Sequence, residues 1–103
     1  MKNIIYLVNS KEFKYLTYII DELNKLEQLY IKLMSDRHVK LTFVLDTYTH
    51  TCYTSTLESI DNLKTQINDL DIYNLVPKDL DEIAVLINDL GIYFDYYKSK
   101  LGI

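Results

Sequence analysis

Two segments of the sequence place apolar side chains at intervals of three and four residues, which is the spacing of one face of an α-helix. The first stripe consists of Leu16, Ile19, Leu23, Leu26, Tyr30 and Leu33. The second consists of Leu80, Ile83, Ile87, Leu90, Phe94, Tyr97 and Leu101. Each stripe predicts an amphipathic helix that must bury its apolar face. The chain has only two glycines and one proline to interrupt such helices, so we expect long helices with few turns.

The bounds of these two helices follow from polar residues and glycines near their ends. Asn9 can serve as the N-cap of the first, which we predict to be about 25 residues long. The second is predicted over 79–101, although Gly91 inside it costs about 1 kcal/mol relative to alanine. A shorter helix over 79–90 followed by a strand over 92–97 is therefore the alternative, and we favour the long helix.

Two further segments favour β-strands. Residues 2–8 form a short run rich in β-branched and aromatic side chains. Residues 39–53 alternate apolar or aromatic residues with polar residues and threonines, which predicts one long strand bent near Asp46, with a hairpin there as the alternative. Ser55 and Glu58 have the spacing of a capping box, which predicts that another helix begins there. That helix is expected to end near Asp71.

The predicted order is β-α-β-α-α, an α+β fold in which long amphipathic helices pack on a small sheet within a single domain over residues 1–103. An all-α helical bundle is the alternative. A two-stranded sheet is marginally stable and would leave a long strand edge exposed. We therefore predict a homodimer, formed either by pairing of strands or by packing of the apolar seam of the helix over 79–101 on its copy.

The net charge of −4 is unevenly distributed along the 103 residues. Residues 41–95 carry two lysines against ten carboxylates, a net charge of −8, whereas residues 1–40 and 96–103 each carry +2. An acidic segment repels phosphate backbones and attracts basic proteins, so direct nucleic-acid binding is not expected. The alternative is a DNA-binding regulator that uses the basic side chains of the N-terminal region, Lys2, Lys11, Lys14, Lys25, Lys32, Arg37 and Lys40.

Few residues carry a pattern that indicates catalysis. His50 and Cys52 would share one face of the predicted strand, near Asp46 and His38, as a Cys–His nucleophile pair or half of a zinc site. Zinc requires three or four ligands, and the sequence has no second pair at ligand spacing. The sequence also lacks a glycine-rich phosphate-binding loop, the G-x-S-x-G motif of acyl-transfer enzymes, and the zinc-binding motifs H-E-x-x-H and C-x-x-C. We expect no enzyme activity, catalytic residue, metal or cofactor, and keep a small enzyme that uses His50 and Cys52 as a further hypothesis.

Ten tyrosines stand beside three phenylalanines and no tryptophan. Tyr30 and Tyr97 belong to the two apolar stripes, whereas several other tyrosines point outward from the predicted helices. Exposed tyrosine is a rigid contact residue that is enriched at protein interfaces. The predicted partner-binding residues are Asp89, Tyr93, Asp95, Tyr96 and Tyr97.

These observations predict a non-catalytic protein-interaction module, a small regulator or inhibitor. It would bind a larger, basic partner, such as a nucleic-acid-binding host protein, through an acidic helical face that carries tyrosines. A composition poor in glycine, alanine and proline is typical of the A+T-rich genomes of phages and mobile elements. Apolar runs are too short for a signal peptide or a membrane span, and a lone cysteine forms no intrachain disulfide. We expect a cytoplasmic protein with no membrane partner.

Overall fold

The computed structural model describes residues 10–102, which form α-helices and no β-strand. The helices in chain order are α1 (Lys11–Met34), α2 (Arg37–Leu45), α3 (Thr47–Asn68) and α4 (Pro77–Lys100). The three long helices pack against one another, and the short α2 packs on α1 and α3. The described residues therefore form a three-helix bundle with a short additional helix, the all-α alternative rather than the predicted α+β fold.

Contacts between distant residues fix the directions of the helices. Tyr15 donates a hydrogen bond of 2.8 Å to Asp81 Oδ1, and Tyr30 donates one of 2.8 Å to the carbonyl oxygen of Leu90. Both bonds join α1 to α4 in the same chain order, so these two helices run in the same direction. α3 runs in the opposite direction and packs on both, since Tyr53 bonds to Tyr30 while Ile67, later in α3, lies beside Ile20 and Leu23, earlier in α1. The described residues extend over 57 × 18 × 18 Å, longer than the roughly 36 Å of a 24-residue helix, so the elements are staggered along the bundle.

Polar side chains begin three of the helices. Ser10, Asp36 and Asp46 are the N-caps of α1, α2 and α3, and each accepts a hydrogen bond from the backbone amide three residues later. The predicted N-cap Asn9 lies outside the described residues. α4 has no side-chain cap and begins instead at Pro77, whose fixed φ angle suits the first turn of a helix.

The core contains both apolar stripes that the sequence identifies, from Leu16 to Leu33 and from Leu80 to Leu101. Its centre is aromatic: the rings of Tyr30 and Tyr53 lie 5.1 Å apart, and Tyr97 packs edge-on against both. The Tyr53 hydroxyl donates a hydrogen bond to the Tyr30 carbonyl oxygen. Burial raises the pKa of both the Tyr30 and the Tyr53 hydroxyl, so both remain protonated donors.

The predicted strand over 39–53 is wrong, because this segment forms α2 and the first turns of α3. The side chains that α3 buries are spaced by four and three residues, namely Thr49, Tyr53, Thr56, Ile60 and Leu63. Threonine occupies two of these core positions, which hides the helical period from a pattern based on apolar residues. Two of the alternating threonines that suggest a strand satisfy their hydroxyls locally. Thr49 donates to Asp46 Oδ2 at 2.7 Å, and Thr51 donates to the carbonyl oxygen of Thr47 at 2.9 Å.

Other predicted boundaries have different outcomes. The long helix over 79–101 is confirmed, since α4 continues through Gly91. The capping box at Ser55 and Glu58 is wrong, because both residues lie in the interior of α3. The predicted strand over 2–8 lies outside the described residues.

The homodimer was predicted on two grounds that the structure removes for residues 10–102. The segment predicted to supply a long strand edge is helical. The apolar seam of α4 is already buried against α1 and α3. Neither surface expected to form the homodimer is therefore free within residues 10–102, and the homodimer itself stays a prediction.

None of the helices in the described part of the chain combines the length and the apolar character needed to cross a membrane.

Candidate interaction surface

α4 carries a second apolar face on the side opposite its core stripe. Val85, Ile92 and Tyr96 lie at spacings of seven and four residues and are 58–59% exposed. Leu86 and Tyr93 flank them and are 45% and 52% exposed. The half-buried Asp89 lies between the two halves of this stripe. We call the group the outer face of α4; it consists of Val85, Leu86, Asp89, Ile92, Tyr93 and Tyr96.

The structure divides the predicted partner-binding residues. Asp89, Tyr93 and Tyr96 lie together on the outer face of α4. Tyr97 is only 6% exposed, and a 2.9 Å hydrogen bond joins its hydroxyl to Thr56 Oγ1 in the core. Asp95 is exposed but lies two residues from Tyr93, about 200° around the helix. Tyr97 is thus a core residue, and Asp95 belongs to another side of α4.

A groove between α3 and α4 borders the outer face of α4. One depression in it has a volume of about 420 Å³ and is lined by Thr51, Cys52, Ser55, Thr56, Ser59, Leu90, Tyr93 and Tyr97. A second, of about 360 Å³, is lined by Gln66, Asp69, Leu70, Asp79, Glu82, Ile83 and Leu86. The lining residues of both depressions share one side of α4 and one side of α3 and of the residues that follow it, so the depressions follow each other along this helix pair and together form a groove. We call it the α3–α4 groove.

Carboxylates dominate the charge around this groove. Asp69, Asp79 and Glu82 line one end of it, and Asp89 lies farther along α4. Asp81, on the other flank of α4, accepts the hydrogen bond from Tyr15, and this bond raises the pKa of the Tyr15 hydroxyl. The lysines of α4 lie near its two ends, at Lys78, Lys98 and Lys100. The α3–α4 groove and the middle of the outer face of α4 therefore attract cations.

A separate group of exposed apolar side chains lies where α2 meets α3. Leu41, Val44, Leu45 and Tyr48 are 62–88% exposed. They face outward because α2 uses Val39 and Phe43 to contact the core. The strand predicted over 39–53 concealed this group, whose members fall on one side only in a helical register.

The residues considered for catalysis do not form a site. Residues that are two positions apart on a helix are separated by about 200° around its axis, so His50 and Cys52 lie on different sides of α3. The His50 ring stacks on Phe43 with centroids 4.9 Å apart. Cys52 lines the α3–α4 groove, and hydrogen bonding with its side chain raises the pKa of the exposed Tyr48 hydroxyl. Within residues 10–102, no three histidine, cysteine, aspartate or glutamate side chains are grouped so as to hold a metal ion.

Sequence reasoning missed the apolar members of the outer face of α4, Val85, Leu86 and Ile92. A signal for them exists, because Val85, Asp89, Ile92 and Tyr96 repeat the 4,3,4 spacing of a helix face. The core stripe of the same helix has that spacing too, and the acidic Asp89 interrupts the second one. The α3 side of the groove had no comparable signal, since part of α3 was predicted to be a strand.

No protein-family model, curated protein sequence or solved structure matches this chain.

Proposed function

We propose that this protein is a non-catalytic protein-interaction module, a small regulator or inhibitor that binds a larger, basic partner protein through the outer face of α4. The observation that carries the proposal is that α4 has two apolar faces, of which the bundle buries only one. Folding of a helix into a bundle requires a single apolar face. A second face is costly to leave in water, and exposed apolar patches mark interaction sites.

The side chains on this face suit a protein partner. Tyr93 and Tyr96 offer large rings with few rotatable bonds, which lose little conformational entropy on binding. The Tyr96 ring packs edge-on against buried Tyr97, with centroids 5.8 Å apart, and this contact holds it in place before a partner arrives. Such pre-ordered aromatic residues are typical of interface hot spots.

The charge pattern favours a basic partner. Residues 41–95, which carry the net charge of −8, include all of α3 and most of α4. Carboxylates near an interface accelerate association with a cationic surface and repel polyanions. We place the interaction in the cytoplasm, where the single thiol of Cys52 remains reduced.

Affinity capture from a lysate of the source cells, with and without nuclease, tests the proposal. The informative variant is Ile92→Ala/Tyr96→Ala, which truncates the outer face of α4. The matched control is Tyr18→Ala/Ile31→Ala, which truncates exposed residues of the same types on α1, at 60% and 47% exposure. We expect a specific protein to be retained by the wild type and the control, to survive nuclease, and to be lost with the informative variant.

Other results would contradict the proposal. Equal retention by both double variants would place the interaction elsewhere on the molecule. Retention of nucleic acid alone would favour the DNA-binding alternative.

The structure gives that alternative little support on α1. Asp21 and Glu22 lie among the outward lysines of this helix, and Glu22 contacts Lys25 at 3.6 Å, which lowers the attraction of this surface for phosphate groups.

A further inference from the structure

We infer that the partner presents an amphipathic α-helix with basic flanks, which binds along the α3–α4 groove as a fourth long helix beside α1, α3 and α4. This inference rests on the proposed function and specifies the shape and charge of the partner segment. Four properties of the groove carry it: the spacing of its walls, its length, its apolar floor with short side chains on one side, and its carboxylates.

Both walls of the groove repeat with the period of a helix. On α4 the lining residues Glu82, Leu86, Leu90, Tyr93 and Tyr97 follow intervals of four, four, three and four. On α3, Cys52, Ser55 and Ser59 follow intervals of three and four. A helix that crosses at about 20° packs its own ridges against stripes of this period along its whole length, as in helix-in-groove complexes.

The length of the groove also suits a helix. Its lining residues on α4 run from Asp79 to Tyr97, which corresponds to about 27 Å along the axis at 1.5 Å per residue. A helix of about 18 residues covers that distance. Such a segment is long enough to place several apolar anchors in the groove, as helix-in-groove complexes do.

The floor and one wall permit close approach of a helix. Ile83, Leu90 and Leu70 provide an apolar floor. The α3 wall has short side chains, and two of its hydroxyls already have acceptors: Ser59 donates to the Ser55 carbonyl at 3.2 Å, and Thr56 donates to that of Cys52 at 2.9 Å. A bound helix therefore covers this wall without stripping these donors of their hydrogen bonds.

The carboxylates select a basic helix over a second copy of this chain. Asp69, Asp79 and Glu82 surround one end of the groove, and half-buried Asp89 adds a charge near its middle. Two copies that met symmetrically through this face would bring like charges together, since an isologous interface pairs each patch with itself. Lysine or arginine on the flanks of an incoming helix would instead pair with these carboxylates.

Binding of two synthetic peptides of about 20 residues tests the inference. Both have leucine at the apolar heptad positions and alanine elsewhere, and their flanking positions carry lysine in one peptide and glutamate in the other. Fluorescence anisotropy gives the affinities, and amide chemical shifts of the labelled protein locate the site. We expect the lysine peptide to bind at least about tenfold more tightly and to shift amides of α3 and α4 along the groove.

Matched variants separate groove binding from general charge attraction. Ser59→Phe fills the groove, whereas Thr65→Phe adds the same ring on another side of α3; both residues are exposed and donate to the carbonyl four residues earlier at 3.2 Å. Leu86→Arg places a cation at the groove. Its control, Leu29→Arg, places the same cation on α1, away from the groove, at a residue of similar exposure. We expect about a tenfold loss of lysine-peptide affinity for the first member of each pair only.

Several outcomes would overturn the inference. Equal affinity for the two peptides, shifts confined to other faces, equal effects within each variant pair, or no binding in the millimolar range would each do so. Concentration-dependent dimerisation that Ser59→Phe abolishes would assign the groove to a second copy. If capture from the lysate still depends on Ile92 and Tyr96 in any of these cases, the proposed function stands and only the helical occupant of the groove is wrong.

Discussion

The Tyr30 hydroxyl donates a hydrogen bond of 2.8 Å to the main-chain carbonyl oxygen of Leu90, a residue 60 positions further along the chain. This bond ties the middle of α1 to α4 inside the core. The carbonyl oxygen of the same tyrosine accepts the hydroxyl of Tyr53 from α3. One residue thus links all three long helices, through a side-chain donor on one side and a main-chain acceptor on the other.

Replacing Tyr30 with phenylalanine tests the side-chain half of this arrangement. Tyr30→Phe removes the donor to Leu90 and keeps the ring packing and the main-chain acceptor, so we expect a loss of about 1 kcal/mol in the free energy of unfolding. Urea denaturation measures it. The control is Tyr18→Phe, at a tyrosine that is 60% exposed, for which no loss is expected. Equal losses for both variants would contradict the assignment.

The buried pair of Thr56 and Tyr97 gives a second prediction. Thr56→Val keeps the shape of the side chain but leaves the buried Tyr97 hydroxyl without its 2.9 Å partner, at a cost of about 1 to 3 kcal/mol. The double variant Thr56→Val/Tyr97→Phe removes both polar groups and should recover part of this loss. Urea midpoints of the two single variants and the double variant measure the coupling. Strictly additive losses would show that the hydroxyls do not depend on each other.

The two glycines should respond in opposite ways to substitution by alanine. Gly91 lies inside α4, and a Cβ atom built there meets nothing within 4 Å, so Gly91→Ala should stabilise the protein by up to about 1 kcal/mol. Gly102 has φ +73°, a conformation that alanine adopts only with strain, so Gly102→Ala should destabilise it. Thermal unfolding gives both signs. Destabilisation by Gly91→Ala would mean that α4 is not a continuous helix.

The capping residue Asp46 predicts a dependence of stability on pH. Hydrogen bonds from the Thr49 hydroxyl at 2.7 Å and the Thr49 amide at 3.0 Å lower the pKa of its carboxyl group. A lowered folded-state pKa contributes stability that is present above the unfolded value of about 3.9 and is lost as the pH falls through the folded value. Asp46→Asn should therefore lower the urea midpoint at neutral pH, and the difference from wild type should shrink below about pH 4.

A control separates this effect from the general loss of negative charge. Asp21→Asn removes an exposed carboxylate from the middle of α1 and should retain the wild-type decrease in acid. If Asp46→Asn and Asp21→Asn gave the same pH profile, the cap would not be the origin of the dependence.

The helices with purely apolar stripes were predictable from the sequence, because α1 and α4 meet the core almost wholly through residues such as Leu23 and Leu90. α3 was not, because Thr49 and Thr56 occupy core positions where a pattern search expects apolar residues. Their hydroxyls are satisfied locally or by Tyr97, an arrangement visible only once the helices are packed. Tyr53, placed on a strand by the alternating pattern, proves to be one of the most buried side chains.

The candidate surface was predictable in part. The tyrosines near the end of α4 were identified from composition and position. The helical register of α4 alone already separates them, because Tyr97 belongs to the apolar stripe and Asp95 lies about 200° around the helix from Tyr93. The α3–α4 groove joins residues from Cys52 to Tyr97. No local pattern could indicate that juxtaposition.

The pairing of α1 with α4 also determines the order in which this chain can fold. The two helices contact each other more than either contacts α3, yet their sequences are separated by α2, α3 and the connection before Pro77. During synthesis, the apolar stripe of α1 emerges long before the helix that covers most of it, and loop closure over that separation must precede the main burial of surface. Nascent chains that end before α4 would expose that stripe and be prone to aggregation.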